Sequence, residues 1–502
     1  MFLAAVSTLL IIAGGMGQAK IAESRPPRAA SLLSNEQTIE IPRGTIIEKL
    51  VCANDATQSY ALYLPSSYTP ARKWPIHYAF DPGARGKLPV ENYKDAAEKY
   101  GWIVAGSNNS RNGAFQPSVD AWQAIVKDTH DRFTIDDRRV YLAGFSGGAR
   151  LAIYFAARCQ GCAGVIASGA GFPSGATPSA ALRFAIFTTT GVDDFNFPEV
   201  KTLDDELTKA GATHQTRVFA GRHEWPPSPV ATEAVEWMEL QAMKSGQRDR
   251  DNALVDSIWE SQLRQARELE ASKKVYDAYQ IYAGLSDSFK NLRDVAEIDK
   301  KLRELRDGRE VRDAIRDEQQ QIRKQRELEN QARSLIAAEL QRSDKENVGE
   351  QGQPGNNNRP GRNDEGLDPD TRLQGMVADL RKQSTRSEDN SERRIARRVL
   401  EGLFVGLIEQ GTSLLQSGKG HGEAARTLKL ATEVNPERAG AFFYLAWAHA
   451  ANGDKKKSLQ ALKTAVDKGF TDLAAIRDNK AFDSVRNDPQ YQQLIEVLKN
   501  KH

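Results

Sequence analysis

The chain reads as two kinds of structure in series: a mostly parallel β-sheet with helices on both faces, then an all-helical region. Three observations predict this. Through residues 58–243, short and continuously apolar runs alternate with longer amphipathic ones; that is the pattern of strands buried on both faces and helices crossing over them. From about residue 249 the composition shifts to Ala, Leu, Glu, Lys, Arg and Gln, with no proline over 255–340, so helix formers dominate. At 502 residues the chain is too long for one ordinary domain and divides naturally into about three segments. Its net charge is only +2, so nothing in the charge balance suggests a nucleic-acid partner.

The elements follow in order. Residues 2–13 are an apolar run followed by small residues up to Ala19, which reads as a secretory signal peptide over 1–19 or an uncleaved N-terminal anchor. The run is short for a membrane span, and no other stretch approaches that length. Residues 38–245 are expected to form the α/β domain. Strand character over 39–51 is broken at Pro42 and Gly44, and a second strand over 58–64 stops at Pro65. Strands are predicted over 74–80, 102–105, 140–143, 164–167, 184–189 and 215–219, and helices over 90–100, 118–133, 149–158, 198–210 and 229–243.

The strand at 140–143 runs into Gly144-Phe145-Ser146-Gly147-Gly148 and then a helix. This is G-x-S-x-G in the context that gives the pattern meaning. A serine between strand and helix sits on a sharp, strained turn with its hydroxyl exposed, and the flanking glycines allow close packing. The Gly147 N–H, at the helix N-terminus, would face an oxyanion. Over about 60–243 the chain resembles the α/β-hydrolase superfamily of esterases, polyhydroxybutyrate-depolymerase-like and prolyl-oligopeptidase-like enzymes.

The resemblance implies a Ser-Asp-His order along the chain. Ser146 matches the nucleophile. In Gly191-Val192-Asp193-Asp194, after the 184–189 strand, Asp194 matches the acid, with Asp193 as the alternative. His223 lies between the last strand and the last helix and matches the base. These residue types suit acyl transfer: a serine hydroxyl is a poor nucleophile until a base takes its proton. Imidazole titrates near neutrality, and a carboxylate fixes its tautomer. His77, His130 and His214 are weaker rivals because they fall inside or at the start of regular elements. The family's second oxyanion donor falls at Phe80-Asp81-Pro82-Gly83-Ala84-Arg85-Gly86. Asp81 stands where histidine is usual and Pro82 has no N–H, which leaves Gly83 or Ala84. Asp81 is expected to turn away and pair with Arg85 or Arg150. Asn108, Asn109 and Arg111 lie in the polar loop at a strand's carboxyl end, where α/β ligands bind; they are candidate substrate contacts, with a solvated turn as the alternative.

Of the three cysteines, Cys159 and Cys162 form a C-x-x-C, and Cys52 lies apart. A thioredoxin-like context and further zinc ligands are both missing. A structural disulfide in an oxidising compartment is expected, with one cysteine left over and the pairing open. No metal or cofactor motif is present.

Residues 250–342 are charged and helical with a repeat-like start at 266–282; the 298–340 stretch reads as a long helix or helix pair with solvated faces. Residues 343–370 are low in complexity and predict a disordered linker. In 371–502, residues 407–436 and 439–470 superpose at close to a 34-residue period. Ala424, Leu428, Ala431, Leu445, Ala446 and Ala465 fall where two helices would cross closely, which resembles a short tetratricopeptide array and implies a protein partner or a spacer role.

The resulting expectation is an exported serine hydrolase acting on a small-molecule or polymeric ester through an acyl-enzyme. Two other readings stand beside it. One is a non-catalytic scaffold, for which the Asp81-Pro82 departure speaks. The other is a peptidase of the prolyl-oligopeptidase type, ranked lower because too few residues precede the first strand for a propeller.

Overall fold

A computed structural model describes residues 41–347 and 368–500. The apolar leader and the centre of the 343–370 segment lie outside them. Eight strands make one sheet: β1 (Ile46–Cys52), β2 (Asp55–Tyr63), β3 (Trp74–Phe80), β4 (Ile103–Ser107), β5 (Ile135–Phe145), β6 (Cys162–Ser168), β7 (Ala185–Gly191) and β8 (His214–Phe219). Their spatial order is β1-β2-β4-β3-β5-β6-β7-β8. The β1–β2 and β2–β4 pairs are antiparallel and the remaining pairs parallel. This is the mostly parallel sheet that the alternating pattern predicts.

Helices α1 (Lys87–Tyr100) and α5 (Ser228–Lys244) cover one face; α2 (Gln116–Arg132), α3 (Gly147–Ala156) and α4 (Phe197–Ala210) cover the other. Strand periodicity sorts the core accordingly. Ile76, Tyr78, Phe80, Val140 and Leu142 pack with the α2–α4 side. Ala79, Tyr141, Ala143 and Phe145, offset by one residue, pack with Trp237 and Met238 of α5. Successive strand residues point to opposite faces, so one core forms on each side. β5 begins well before the predicted 140–143 run. Its charged Asp137 and Arg138 are exposed, but Trp74 still pairs with Ile135.

A buried carboxylate ties the base of β5 to α5. Glu239 accepts the indole N–H of Trp102 at 2.5 Å and pairs with Arg139 and Arg248. Asp251 then caps α6 (Asn252–Ala271) by accepting the Leu254 N–H, and α7 (Val275–Phe289), α8 (Ala296–Asp307) and α9 (Arg309–Asn347) follow. Leu240 and Met243 of α5 share a core with Val255, Trp259 and Phe289. The helical region is therefore packed directly on the sheet domain.

α9 departs from the expected solvated helix. Ala332, Leu335 and Ile336 pack with Val377 and Leu380 of α10 (Pro369–Ser384) and with Val399 and Leu403 of α11 (Ser391–Gln416). These few apolar residues are sparse among the charges in sequence, so the buried stripe is narrow. α9 reaches Asn347 and α10 starts at Pro369, so both helices enter the ends of the 343–370 segment, whose centre lies outside the described residues. Beyond it come α12 (His421–Val434), α13 (Ala439–Ala451), α14 (Lys455–Asp467), α15 (Leu473–Arg477), a 3-10 turn (Lys480–Val485) and α16 (Pro489–Lys499). Ala424, Ala446 and Ala465 are fully buried in this last core. Among the described residues no helix is long and apolar enough to cross a membrane. Cys159 and Cys162 form a disulfide, and the remaining cysteine, Cys52, is buried with its thiol pushed up to about 12 by burial.

His77 is buried in β3, edge-on to Tyr93 at 4.4 Å, and neither ring nitrogen has a hydrogen-bond partner among the described residues. Burial lowers its pKa to about 3, so the folded chain holds it neutral. An unfolded histidine takes up a proton below about pH 6.5. Unfolding therefore gains a proton between about pH 6.5 and pH 3, and this residue makes stability fall as pH drops through that window, by up to about 1.4 kcal/mol per unit. His77→Phe should remove that contribution. Urea unfolding from pH 7 down to pH 4 should then show a shallower loss of stability in the variant than in the parent chain.

Candidate active site

The turn after β5 places Ser146. Its φ is +54° with ψ −120°, a conformation rare for a residue with a side chain and held only where the surroundings over-determine it. The surroundings here are backbone. A Cβ on Gly144 would lie 2.0 Å from the Gly148 carbonyl oxygen, and one on Gly148 would lie 1.9 Å from that of Phe80. The missing side chains let β5, α3 and the end of β3 touch beneath the serine. The Ser146 N–H donates to Ser168 O of β6 at 2.8 Å. Gly147 N–H, in the first turn of α3, has no intrahelical acceptor.

At the same rim, Asp194 Oδ1 lies 2.8 Å from His223 Nδ1 and also accepts the Asn196 N–H at 2.8 Å. Asp194 is completely buried. Asp193, the alternative acid, is turned away: its carboxylate pairs with Arg397 at 2.8 Å. The imidazole is sandwiched by aromatic rings, Phe145 at 4.5 Å and Phe195 at 4.2 Å between centroids. Because Phe145 adjoins Ser146 in the chain, this contact brings histidine and serine to one place. Gly169, with φ +65°, completes the junction; a Cβ there would lie 3.0 Å from Asp194 Oδ2 and from the Phe145 ring, and 3.2 Å from the His223 ring. Ser146 Oγ makes no hydrogen bond among the described residues, and such contacts commonly tighten when substrate binds.

The second expected donor is differently placed. The Gly83 N–H donates to Asp81 Oδ1 at 2.8 Å, and the Ala84 N–H donates to Asp81 O at 3.1 Å. Both groups named as candidates are therefore engaged within their own turn, where Ala84 sits at φ +59°. Asp81 is buried and held by Arg85 at 2.8 and 2.9 Å and by the Trp225 indole at 2.8 Å. Arg150, the other expected partner of Asp81, instead forms a two-pronged pair with Glu199 at 2.6 and 2.9 Å.

The polar loop divides. Asn108 donates to Glu48 O at 3.1 Å, and Asn109 spans to β2 by accepting the Ser59 N–H at 2.8 Å and donating to Thr57 O at 3.1 Å. Both side chains brace strands. Arg111 is exposed and its backbone bridges Gly83. The loop residue that reaches the serine turn is Asn112: a Cβ on Gly147 would meet its Oδ1 at 1.9 Å. Asn112 belongs to the polar run visible in sequence, but nothing there marks it out from its neighbours.

The helical region also contributes, and no sequence signal announces this. Arg398 of α11 is 1 % exposed and donates to Val192 O, through Nε at 2.7 Å, with its guanidinium 3.8 Å over the Phe197 ring. Gln325 of α9 donates to Phe195 O at 2.8 Å. The loop carrying Asp194 is thus gripped from both sides by α9 and α11. A cavity of about 470 Å³ lies beside it, lined by Phe172, Phe195, Glu199, Leu203, Glu329 and Gly406 among others. Phe195 both lines this cavity and packs at a tilt against His223. Glu409 of α11 accepts from Asn112 Nδ2 at 3.4 Å. Among the described residues no cluster of three or more His, Cys, Asp or Glu is arranged to hold a metal ion.

No family model matches the chain, and no curated protein matches it. Solved structures do. A fluorophosphonate-binding serine hydrolase of Staphylococcus aureus is 15% identical, with a TM-score of 0.32 over 39% of this chain and 99% of its own. An S-formylglutathione hydrolase of the same organism is 16% identical, with a TM-score of 0.33 over 39% and 98%. A feruloyl esterase module from Clostridium thermocellum is 16% identical, with a TM-score of 0.32 over 38% and 85%. Likeness at this level carries no weight for function, which rests on the geometry above.

Two outcomes follow from the packing. Gly144→Ala sets a methyl against backbone, which cannot rotate aside, so it should cost at least the roughly 1–3 kcal/mol of an overpacked core, read as a lowered midpoint in urea. Arg398→Met leaves the Val192 carbonyl unpaired at a cost of about 1–3 kcal/mol. Hydrogen exchange should then quicken in the 192–198 loop more than in β3 or β5.

Proposed function

We propose that the chain is a serine hydrolase that cleaves an ester or related acyl bond through an acyl-enzyme on Ser146. The observation that carries this reading is the 2.8 Å Asp194–His223 contact at the rim where Ser146 is held at positive φ. In this mechanism His223 takes the Ser146 proton through Nε2 as the oxygen attacks the acyl carbon. Asp194, bound at Nδ1, fixes the tautomer and stabilises the imidazolium. The tetrahedral oxyanion forms against the Gly147 N–H. His223 then returns the proton to the leaving alcohol. Water, deprotonated by the same imidazole, splits the acyl-enzyme and restores the serine.

The substrate class, small-molecule or polymeric ester, follows from the chemistry of that triad. Export is proposed on the apolar run at 2–13 and the Cys159–Cys162 disulfide, a bond typical of oxidising compartments. A role for α12–α14 as tetratricopeptide-like repeats that bind a protein is proposed on the sequence period and the buried alanines at the helix crossings.

A second reading, a non-catalytic binding protein, is favoured by one observation: the Gly83 and Ala84 N–H groups are both engaged with Asp81. One experiment separates the two. The full chain should react covalently with a fluorophosphonate probe and hydrolyse para-nitrophenyl esters; Ser146→Ala should lose both while keeping its circular dichroism spectrum. Asp194→Asn should lower kcat by about 10⁴-fold. Absence of labelling in the parent chain, or undiminished turnover by Ser146→Ala, would overturn the hydrolase reading.

A further inference from the structure

Glu409 is one residue removed from the serine turn, yet it belongs to the helical region. Its carboxylate is reached through Asn112, whose amide lies directly on Gly147. The charged groups that act on it are His223, from the loop after β8, and Arg150 of α3. Neither forms an ion pair with it. Arg150 is committed to both Glu199 oxygens and to Phe172 O, and His223 faces Asp194. Arg111, on the same loop as Asn112, is exposed and is not bonded to it. Among the described residues the only hydrogen bond to the Glu409 carboxylate is the long one from Asn112. Burial raises its pKa, with His223 and Arg150 pulling it back.

A carboxylate in this state is costly in two ways. A partly buried charge without a close counter-ion loses hydration that nothing restores. A negative charge near an oxyanion also opposes the stabilisation that the Gly147 N–H provides. Both costs vanish if the substrate itself brings a cation to this point. We propose, on the reading of Ser146 as nucleophile, that Glu409 selects acyl substrates carrying an alkylammonium or guanidinium group. The helical region then supplies the specificity and the sheet domain the chemistry. The cation would sit between α11 and the Asn112 loop. There it would complete a charge-assisted contact with Glu409 and leave the Asn112 amide free to turn toward the oxyanion.

The test compares para-nitrophenyl esters of equal acyl length ending in trimethylammonium, methyl or carboxylate, with the full chain. The parent should show the highest kcat/KM on the cationic ester. Glu409→Gln, an isosteric change, should lower the cationic-to-neutral ratio at least tenfold, and Glu409→Lys should invert the order in favour of the carboxylate. An unchanged ratio would overturn the proposal. An equal rise on all three esters in Glu409→Gln would also overturn it, because that result marks α11 as a lid. A second measurement does not depend on turnover: calorimetry of phenyltrimethylammonium with the Ser146→Ala chain. Binding that weakens at least tenfold on adding Glu409→Gln supports the proposal even if no ester is cleaved, and equal binding with and without the change overturns it.

Discussion

Backbone contact beneath one serine is the constraint on which the rest of the molecule depends. Gly144, Gly148 and the Phe80 carbonyl meet at distances that no Cβ could occupy. That contact draws β3, β5 and α3 together and holds Ser146 at φ +54°. The parallel order of the sheet then matters for a simple geometric reason: β3, β5, β6, β7 and β8 all end at the same rim. Residues far apart in sequence therefore converge there: Asp81 after β3, Gly169 after β6, Asp194 after β7 and His223 after β8. Only the last two touch through polar atoms, and the ring of Phe145, next to Ser146 in the chain, packs on His223.

The helical region is part of this rim. α6 and α7 continue the core of α5, and α9 and α11 close over the loop that carries Asp194. Arg398 loses its hydration to donate to the Val192 carbonyl and to Gln321 Oε1 and to lie over Phe197, and burial lowers its pKa to about 10. A charge in that setting is tolerable because hydrogen bonding and ring stacking replace water. The consequence is direct contact: α11 touches Val192 through Arg398 and Phe195 through Gly402, on either side of Asp194.

The turn after β3 illustrates how one local departure is absorbed. An aspartate at a position where the resembled family has histidine would place negative charge beside a reacting oxygen. Here Asp81 is folded inward onto Arg85, Trp225 and the N–H of Gly83. Its charge is neutralised, at the expense of the N–H groups that the turn would otherwise present.

Much of the sheet domain was legible from residue order alone. Strand and helix periodicity depend on neighbours within a few positions, so the element order and the serine turn could be read locally, whereas Asp194 and His223 became candidates only through the family resemblance. Boundaries shifted, most in β5, because pairing with Trp74 extends a strand through charged residues. Other features depend on distant partners and leave no local trace. The roles of Asn108 and Asn109 as braces depend on β1 and β2. The occupation of the Gly83 donor depends on which way the Asp81 side chain turns, and that is set by Arg85 and Trp225. The largest case is α11: its arginines resemble any charged helix face, and only tertiary packing sets Arg397 and Arg398 against a loop some 200 residues earlier.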